Sequence, residues 1–252
     1  MPAVAAISLG NTSVAAGLWR GGRLVYVRRL PAGELGRRRL FAGAARRDLS
    51  GAELAAVASV VPAQERSLEK AVRNELGSRC TVRHLGRELH TGLALEVKQP
   101  GKVGADRLAG ALAAHRRFGA AVVVDFGTAV TVNAVTSKGE FLGGAITPGA
   151  ALIARVLEAG TAQVSVKPPK RAVRPPGHST DEAVAAAATY GLAGAVDRLV
   201  EETLARLGGH PALVATGGGA ALVAPLCRAK FRVLPNLVLE GLALAAAGYA
   251  PY

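Results

Sequence analysis

The chain has 252 residues, half of them hydrophobic and only 4% aromatic, so one large domain or two small ones must be packed mainly by Ala, Val and Leu. Its formal net charge is +13, with basic residues in short groups (Arg28-Arg29, Arg37 to Arg39, Arg46-Arg47, Arg116-Arg117) that do not alternate with aromatics. No nucleic-acid motif accompanies them, so they read as the basic surface of a protein that handles anionic ligands, and no nucleic-acid partner is expected.

The first ten residues, MPAVAAISLG, carry no basic region before their apolar stretch and read as a first strand, not a secretory signal. Ser8, Gly10, Asn11 and Thr12 then make a turn, and Val14, Ala16 and Leu18 mark a second strand. Gly21-Gly22 turns the chain again, and Arg23 to Leu30 alternates as a third strand, which gives an antiparallel meander. Residues 34–48 read as an Arg-rich polar helix. Leu54 to Val61 reads as a strand, Ala63 to Leu76 as a helix with Leu68, Val72 and Leu76 at helical spacing, and Thr81 to Leu85 as a short strand. Pro100, Gly101 and Gly104 form a loop before a helix whose first turn carries Asp106 and Arg107. An acid there suits the helix dipole in any protein. The same loop also suits a general base beside an anion-binding cation, and both readings stay open.

Ala121 to Val132 reads as strand, tight turn, strand, with Asp125, Gly127 and Thr128 at the turn. A carboxylate and a hydroxyl beside closely approaching backbone suit a phosphate and its metal ion. This stretch repeats the pattern of Ile7 to Trp19: a small or acidic residue at a strand end, a glycine two residues on, a threonine, then a second strand. The copies lie about half a chain apart, which points to duplication of a whole domain, residues 1–118 and 119–252. Two such halves facing each other would give a cleft with one phosphate loop from each.

After the second turn, Gly143 to Gly149 reads as a glycine-rich loop before a helix from Ala150. Residues 163–177, rich in Pro, Lys and Arg, read as a surface loop. Ser179 or Thr180 starts the next helix, followed by Asp181-Glu182. Its Ala-rich course through Tyr190-Gly191 continues to Leu207. Leu213 to Ala215 reads as a strand followed by Thr216-Gly217-Gly218-Gly219 and a helix from Ala220, a turn that suits close approach of a nucleotide. A last helix is placed from Gly241. No apolar run is judged long enough to span a bilayer, so no membrane partner is expected. Cys80 and Cys227 are too few for a disulfide framework or a Cys-based zinc site, and a cytoplasmic setting is the default.

The order of these motifs resembles one family, the type III pantothenate kinases of the acetate and sugar kinase, Hsc70 and actin superfamily. The carriers are Gly10-Asn11-Thr12, Ser59-Val60-Val61-Pro62, Pro100 with Val103-Gly104-Ala105-Asp106-Arg107, Asp125-Phe126-Gly127-Thr128-Ala129, Gly143-Gly144-Ala145-Ile146-x-Pro148-Gly149, Thr161-Ala162, Thr180, Tyr190-Gly191, Thr216-Gly217-Gly218 and Leu239-x-Gly241-Leu242. The resemblance implies an α/β, duplicated ribonuclease-H-like fold and a homodimer. It implies transfer of the ATP γ-phosphoryl group to pantothenate, the first step of coenzyme A synthesis. Asp106 would be the general base. Gly104, Ala105, Arg107, Thr180 and Val97 would contact the acceptor. Ser8, Gly10, Asn11, Thr12, Gly127, Thr128, Thr216, Gly217 and Gly218 would hold ATP, and Asp125 the metal. Mg²⁺ and a monovalent ion, K⁺ or NH₄⁺, are the implied cations. The chain departs from the family pattern at Ser8, where the family has Asp, and at Val97, Gly110 and Ala187 near the expected acceptor pocket. The alternative is a degenerate member that binds nucleotide or a pantothenate-like ligand as a regulator, or that uses another acceptor.

Overall fold

The computed structural model describes residues 3–43, 45, 52–162 and 167–248. The chain divides into two compact units: Met1–Arg117 with Lys138–Phe141 and Asn236–Tyr252, and Phe118–Ser137 with Leu142–Pro235. The C-terminal segment thus groups with the first unit.

In the first unit, β1 (Ala3–Leu9), β2 (Ser13–Arg20), β3 (Arg23–Pro31), β4 (Ala52–Ser59) and β5 (Thr81–His84) form a sheet of order β3-β2-β1-β4-β5. The first three strands are antiparallel, because turns of a few residues join them, whereas β4 and β5 run parallel to β1 after crossovers. Ala3, Ala5, Ile7 and Leu9 of β1 pack with Leu68, Ala71 and Val72 of α1 (Glu65–Leu76), as period-2 alternation against a helical stripe requires. On the other face, α2 (Ala105–Phe118) buries Leu108 through Ala114, and a later helix from Leu237 to Ala246 lies close against it. That later helix can approach only because Gly241 lacks a side chain: a Cβ there would sit 1.8 Å from the Ala109 carbonyl oxygen. A two-residue strand, β6 (Ala94–Leu95), pairs in parallel with Glu140 and Phe141, which belong to this unit.

The second unit repeats the plan. Strands β7 (Ala121–Phe126), β8 (Ala129–Val135), β9 (Glu140–Pro148, whose first two residues group with the first unit), β10 (Ala212–Thr216) and β11 (Arg232–Val233) follow the order β11-β10-β7-β8-β9, the first sheet's order read from the other edge. Again the hairpin β7–β8 is antiparallel and β10 and β11 are parallel to β7 and to each other. Its helices are α3 (Ala150–Gly160), α4 (Thr180–Ala186), α5 (Leu192–Leu207) and α6 (Ala220–Val223); α7 (Leu237–Ala246) is the helix already placed on α2. Residues Ala187–Gly191 form a π-helical turn that joins α4 and α5 into one helical run.

Four sequence expectations need correction. Beyond a 3-10 turn over Ala32–Glu34, Leu35 to Gly43 is not helical: the N–H groups of Leu40 and Phe41 donate to the Glu75 carboxylate at 2.7 and 2.9 Å, and both side chains are buried in the α1 core. The rest of the expected helix 34–48, Ala45 apart, and residues 163–166 of the expected loop lie outside the described residues. Gly143 to Pro148 is strand, not loop. A Cβ on Gly144 would lie 1.7 Å from the Val132 carbonyl oxygen, so this glycine marks close passage over β8 and not a turn. The final helix begins at Leu237, four residues before Gly241. Finally, the run Thr180–Leu207 is long and apolar enough, by length and composition, to cross a membrane. Leu192, Ala193, Val196 and Val200 bury it against β7 and β8, the arrangement of a core helix.

Candidate active site

The expected functional residues divide between the two units. In the first, Pro100–Lys102 forms a short 3-10 turn, and the chain enters α2 at Gly104 and Ala105. Asp106 stands in the first turn of α2. Its Oδ1 accepts from the Arg107 N–H at 2.8 Å, and a Cβ on Gly104 would lie 2.6 Å from the same oxygen. Gly104 is therefore what lets this carboxylate fold back onto the loop. Burial pushes the Asp106 carboxyl above the ordinary Asp range, and the Arg107 N–H and charge only partly oppose this. Burial also lowers the Arg107 guanidinium, which the Asp106 charge partly restores. Desolvation dominates for both, so the pair is a base and a cation that are each partly withdrawn from water.

Arg107 lies over the ring of Phe141, with Cζ 5.6 Å from the ring centroid. The half-buried Val97 follows β6, and the Glu96 N–H donates to the Phe141 carbonyl at 3.0 Å. At the end of β1, Ser8 is half-buried and pairs with Ala15 of β2 and Ala58 of β4. The turn after it is tied by the Gly10 N–H donating to the Ser13 carbonyl at 2.9 Å and by the Thr12 carbonyl accepting from Ala32 at 3.0 Å. Asn11 and Thr12 are left exposed.

In the second unit, Asp125 occupies the penultimate position of β7, as Ser8 does in β1. Its cross-strand neighbours are Thr131 of β8 and Thr216 of β10, so three oxygen-bearing side chains share one face. Gly217 has φ +89° and passes so near that a Cβ would lie 2.2 Å from Asp125 Oδ1. The Gly219 N–H then donates to the Phe126 carbonyl at 2.8 Å. From the other side, the Gly149 N–H at the start of α3 donates to the Thr128 carbonyl at 2.9 Å, and a Cβ on Gly149 would lie 2.3 Å from the Gly127 carbonyl oxygen. Asp125, Gly127, Thr128, Thr216 and Gly217 are thus brought together, with the positive end of the α3 dipole beside them. Gly218 continues this loop, where an added Cβ would meet nothing within 4 Å. Thr180 is exposed at the start of α4, where the Ser179 hydroxyl accepts from the Glu182 N–H at 3.2 Å and the Glu182 carboxylate accepts from the His178 N–H at 2.8 Å.

Sequence reasoning missed two residues. Gly149 was legible as part of the glycine-rich motif, but not as the contact to Thr128. Phe141 carried no signal beyond preceding that motif. Among the described residues, no three His, Cys, Asp or Glu side chains cluster as a metal site. Asp125 offers one hard carboxylate oxygen donor, of the kind that suits Mg²⁺.

The sequence profile described as type III pantothenate kinase matches residues 5–202. The type III pantothenate kinase of Moorella thermoacetica is 36% identical over 248 residues, covering 94% of this chain and 96% of that protein. Among solved structures, a protein described as a Baf family transcriptional activator from Campylobacter jejuni superposes with TM-score 0.61 at 17% identity, covering 97% of this chain and 98% of its own. A ROK family glucokinase from Streptomyces griseus gives 0.51 at 12% identity, covering 98% and 100%. The last two establish the α/β, duplicated ribonuclease-H-like fold that the repeated strand order describes. Together, the match across the chain and the full-length relative place this protein in the type III pantothenate kinase family.

Proposed function

We infer that this chain transfers the γ-phosphoryl group of ATP to the hydroxyl of pantothenate, giving 4′-phosphopantothenate and ADP. The observation that carries the assignment is the Asp106–Arg107 pair at the start of α2, in a chain that matches the family along nearly its whole length.

Asp106 accepts the hydroxyl proton as the acceptor oxygen bonds to phosphorus and the bond to the ADP oxygen breaks. Its raised affinity for protons makes it a stronger base than an ordinary Asp. Arg107 holds the anionic acceptor, and Gly104, Ala105, Val97 and Thr180 shape its site. Gly10, Asn11 and Thr12 hold ATP phosphates, with Ser8 at the strand end. Gly127 and Thr128 form the second phosphate loop, and Thr216, Gly217 and Gly218 lie against the nucleotide. Asp125 would hold Mg²⁺, which would supply charge neutralisation at the phosphate oxygens, and the same loop would take K⁺ or NH₄⁺. The protein works as a homodimer in the cytoplasm.

One observation favours a second reading. Ser8, Ala15 and Ala58 leave the first loop without a carboxylate, which suits a slow enzyme or a member that binds nucleotide as a regulator. A coupled ADP-release assay with and without pantothenate separates the two. Pantothenate-dependent turnover that Asp106→Asn abolishes is expected. Nucleotide binding with no such turnover, in the wild type and in Ser8→Asp, would replace the kinase by the regulator.

A further inference from the structure

We propose that Phe141 is a positioning residue for the acceptor site: its ring holds the Arg107 guanidinium in place to receive the anionic end of the substrate. This rests on the assignment of Arg107 to the acceptor made above.

Three observations support it. The Arg107 Cζ lies over the Phe141 ring at 5.6 Å from the centroid, within the range where the ring's negative face attracts a cation. Phe141 has no exposed surface, so the ring cannot swing away, and its neighbour is a guanidinium already partly stripped of water. Its backbone is fixed as well: the parallel pairing of Ala94–Leu95 with Glu140–Phe141 is closed by Ala94 N–H to Gly139 and Glu96 N–H to Phe141, both at 3.0 Å. Val97, one residue beyond Glu96, is part of the expected acceptor site. Phe141 therefore joins two otherwise separate pieces of that site, the strand before Val97 and the first turn of α2. The arginine side chain that carries the guanidinium also has several rotatable bonds to immobilise, and a ring that orders it beforehand removes that loss from the binding step.

Loss of the ring should produce a selective defect. Phe141→Leu keeps an apolar side chain but loses the ring's charge distribution, and Phe141→Tyr keeps it. The measurements are KM and kcat for pantothenate and for ATP, with thermal melting of each variant. For Phe141→Leu, the KM for pantothenate is expected to rise about tenfold, equivalent to 1.4 kcal/mol. The KM for ATP is expected to stay within about twofold. Phe141→Tyr is expected to restore the pantothenate KM, and Phe141→Leu is expected to add little in an Arg107→Met background. An unchanged pantothenate KM in Phe141→Leu, an equal rise in Phe141→Tyr, or a parallel rise in both substrates' KM overturns the proposal. If Phe141→Leu does not fold, Phe141→Met takes its place with the same criteria. If the wild type shows no pantothenate-dependent turnover, the kinase assignment fails, and calorimetric titration with pantothenate decides the role of Phe141. Binding weakened by Phe141→Leu and retained by Phe141→Tyr supports it, and absence of binding to the wild type overturns it.

Discussion

The ends of β1 and β7 occupy equivalent places in two sheets of the same strand order, yet they carry different chemistry. Asp125 is flanked in register by Thr131 and Thr216, and Ser8 by Ala15 and Ala58. Both neighbours of the acid are hydroxyl residues, and both neighbours of the serine are alanines. The loops after the parallel strands differ too. After β10 the chain passes Asp125 through Gly217 in a left-handed conformation, whereas after β4 it turns through Val61 and Pro62 into α1. The strand scaffold is the same in both units, while of these two strand ends only that of β7 carries a carboxylate with a glycine passing close to it. Cation binding and charge compensation should therefore depend far more on the β7–β8 loop than on the β1–β2 loop.

Asp125→Asn tests this most severely, since it leaves neither strand end with a carboxylate. A loss of about 3–4 kcal/mol of transition-state stabilisation is expected, roughly 10²–10³ in kcat, with the variant still folded. A kcat close to wild type would mean that the acid does not serve the reaction. Next in size is the opposite change at the first loop. Ser8→Asp places a carboxylate between Ala15 and Ala58 and should recover on the order of 10²-fold in kcat.

Glycine substitutions divide the second loop more finely. Gly217→Ala forces a non-glycine residue into the left-handed region, at a cost of about 1–2 kcal/mol. It also drives a methyl group into Asp125 Oδ1, so both the melting temperature and the affinity for ATP should fall. Gly218→Ala meets no protein atom within 4 Å and should leave the melting temperature unchanged. Equal destabilisation by the two would remove the close passage at Gly217 from the account of the site.

The smallest effect is a pH dependence in the first unit. Because the Asp106 carboxyl is raised, the acid limb of kcat/KM for pantothenate should lie above the value of about 3.9 for an ordinary Asp. Arg107→Gln removes the charge that partly opposes the shift and should move that limb higher still. The stability consequence has the opposite sense to that of a salt-bridged Asp. A raised folded pKa favours folding when the group is protonated, and this contribution declines as pH rises through the folded value. Asp106→Asn should therefore lose activity yet melt no lower than wild type at neutral pH.

Much of this architecture was legible in the sequence for local reasons. The two strand–turn–strand stretches are defined by alternation and by glycines at their turns, and Asp106-Arg107 sits where a loop gives way to a clear helical stripe. What was illegible depended on distant partners. The segment before Gly43 resembles a polar helix until Glu75 is seen to take its N–H groups. Gly143 and Gly144 read as a loop because glycine's conformational freedom and its use in close passage leave the same mark in a sequence. Strands β6 and β11 have two residues each, too few for any periodicity. The return of α7 to the first unit follows from Gly241 meeting Ala109, a contact 132 positions apart in the chain that no local pattern encodes. Phe141 gains its place under Arg107 in the same way.

The most direct test is the pantothenate-dependent release of ADP by wild type and Ser8→Asp, measured side by side at saturating ATP. Weak turnover by the wild type and a gain on the order of 10²-fold in Ser8→Asp are expected. No pantothenate-dependent turnover in either protein would contradict the assignment of this chain as a pantothenate kinase.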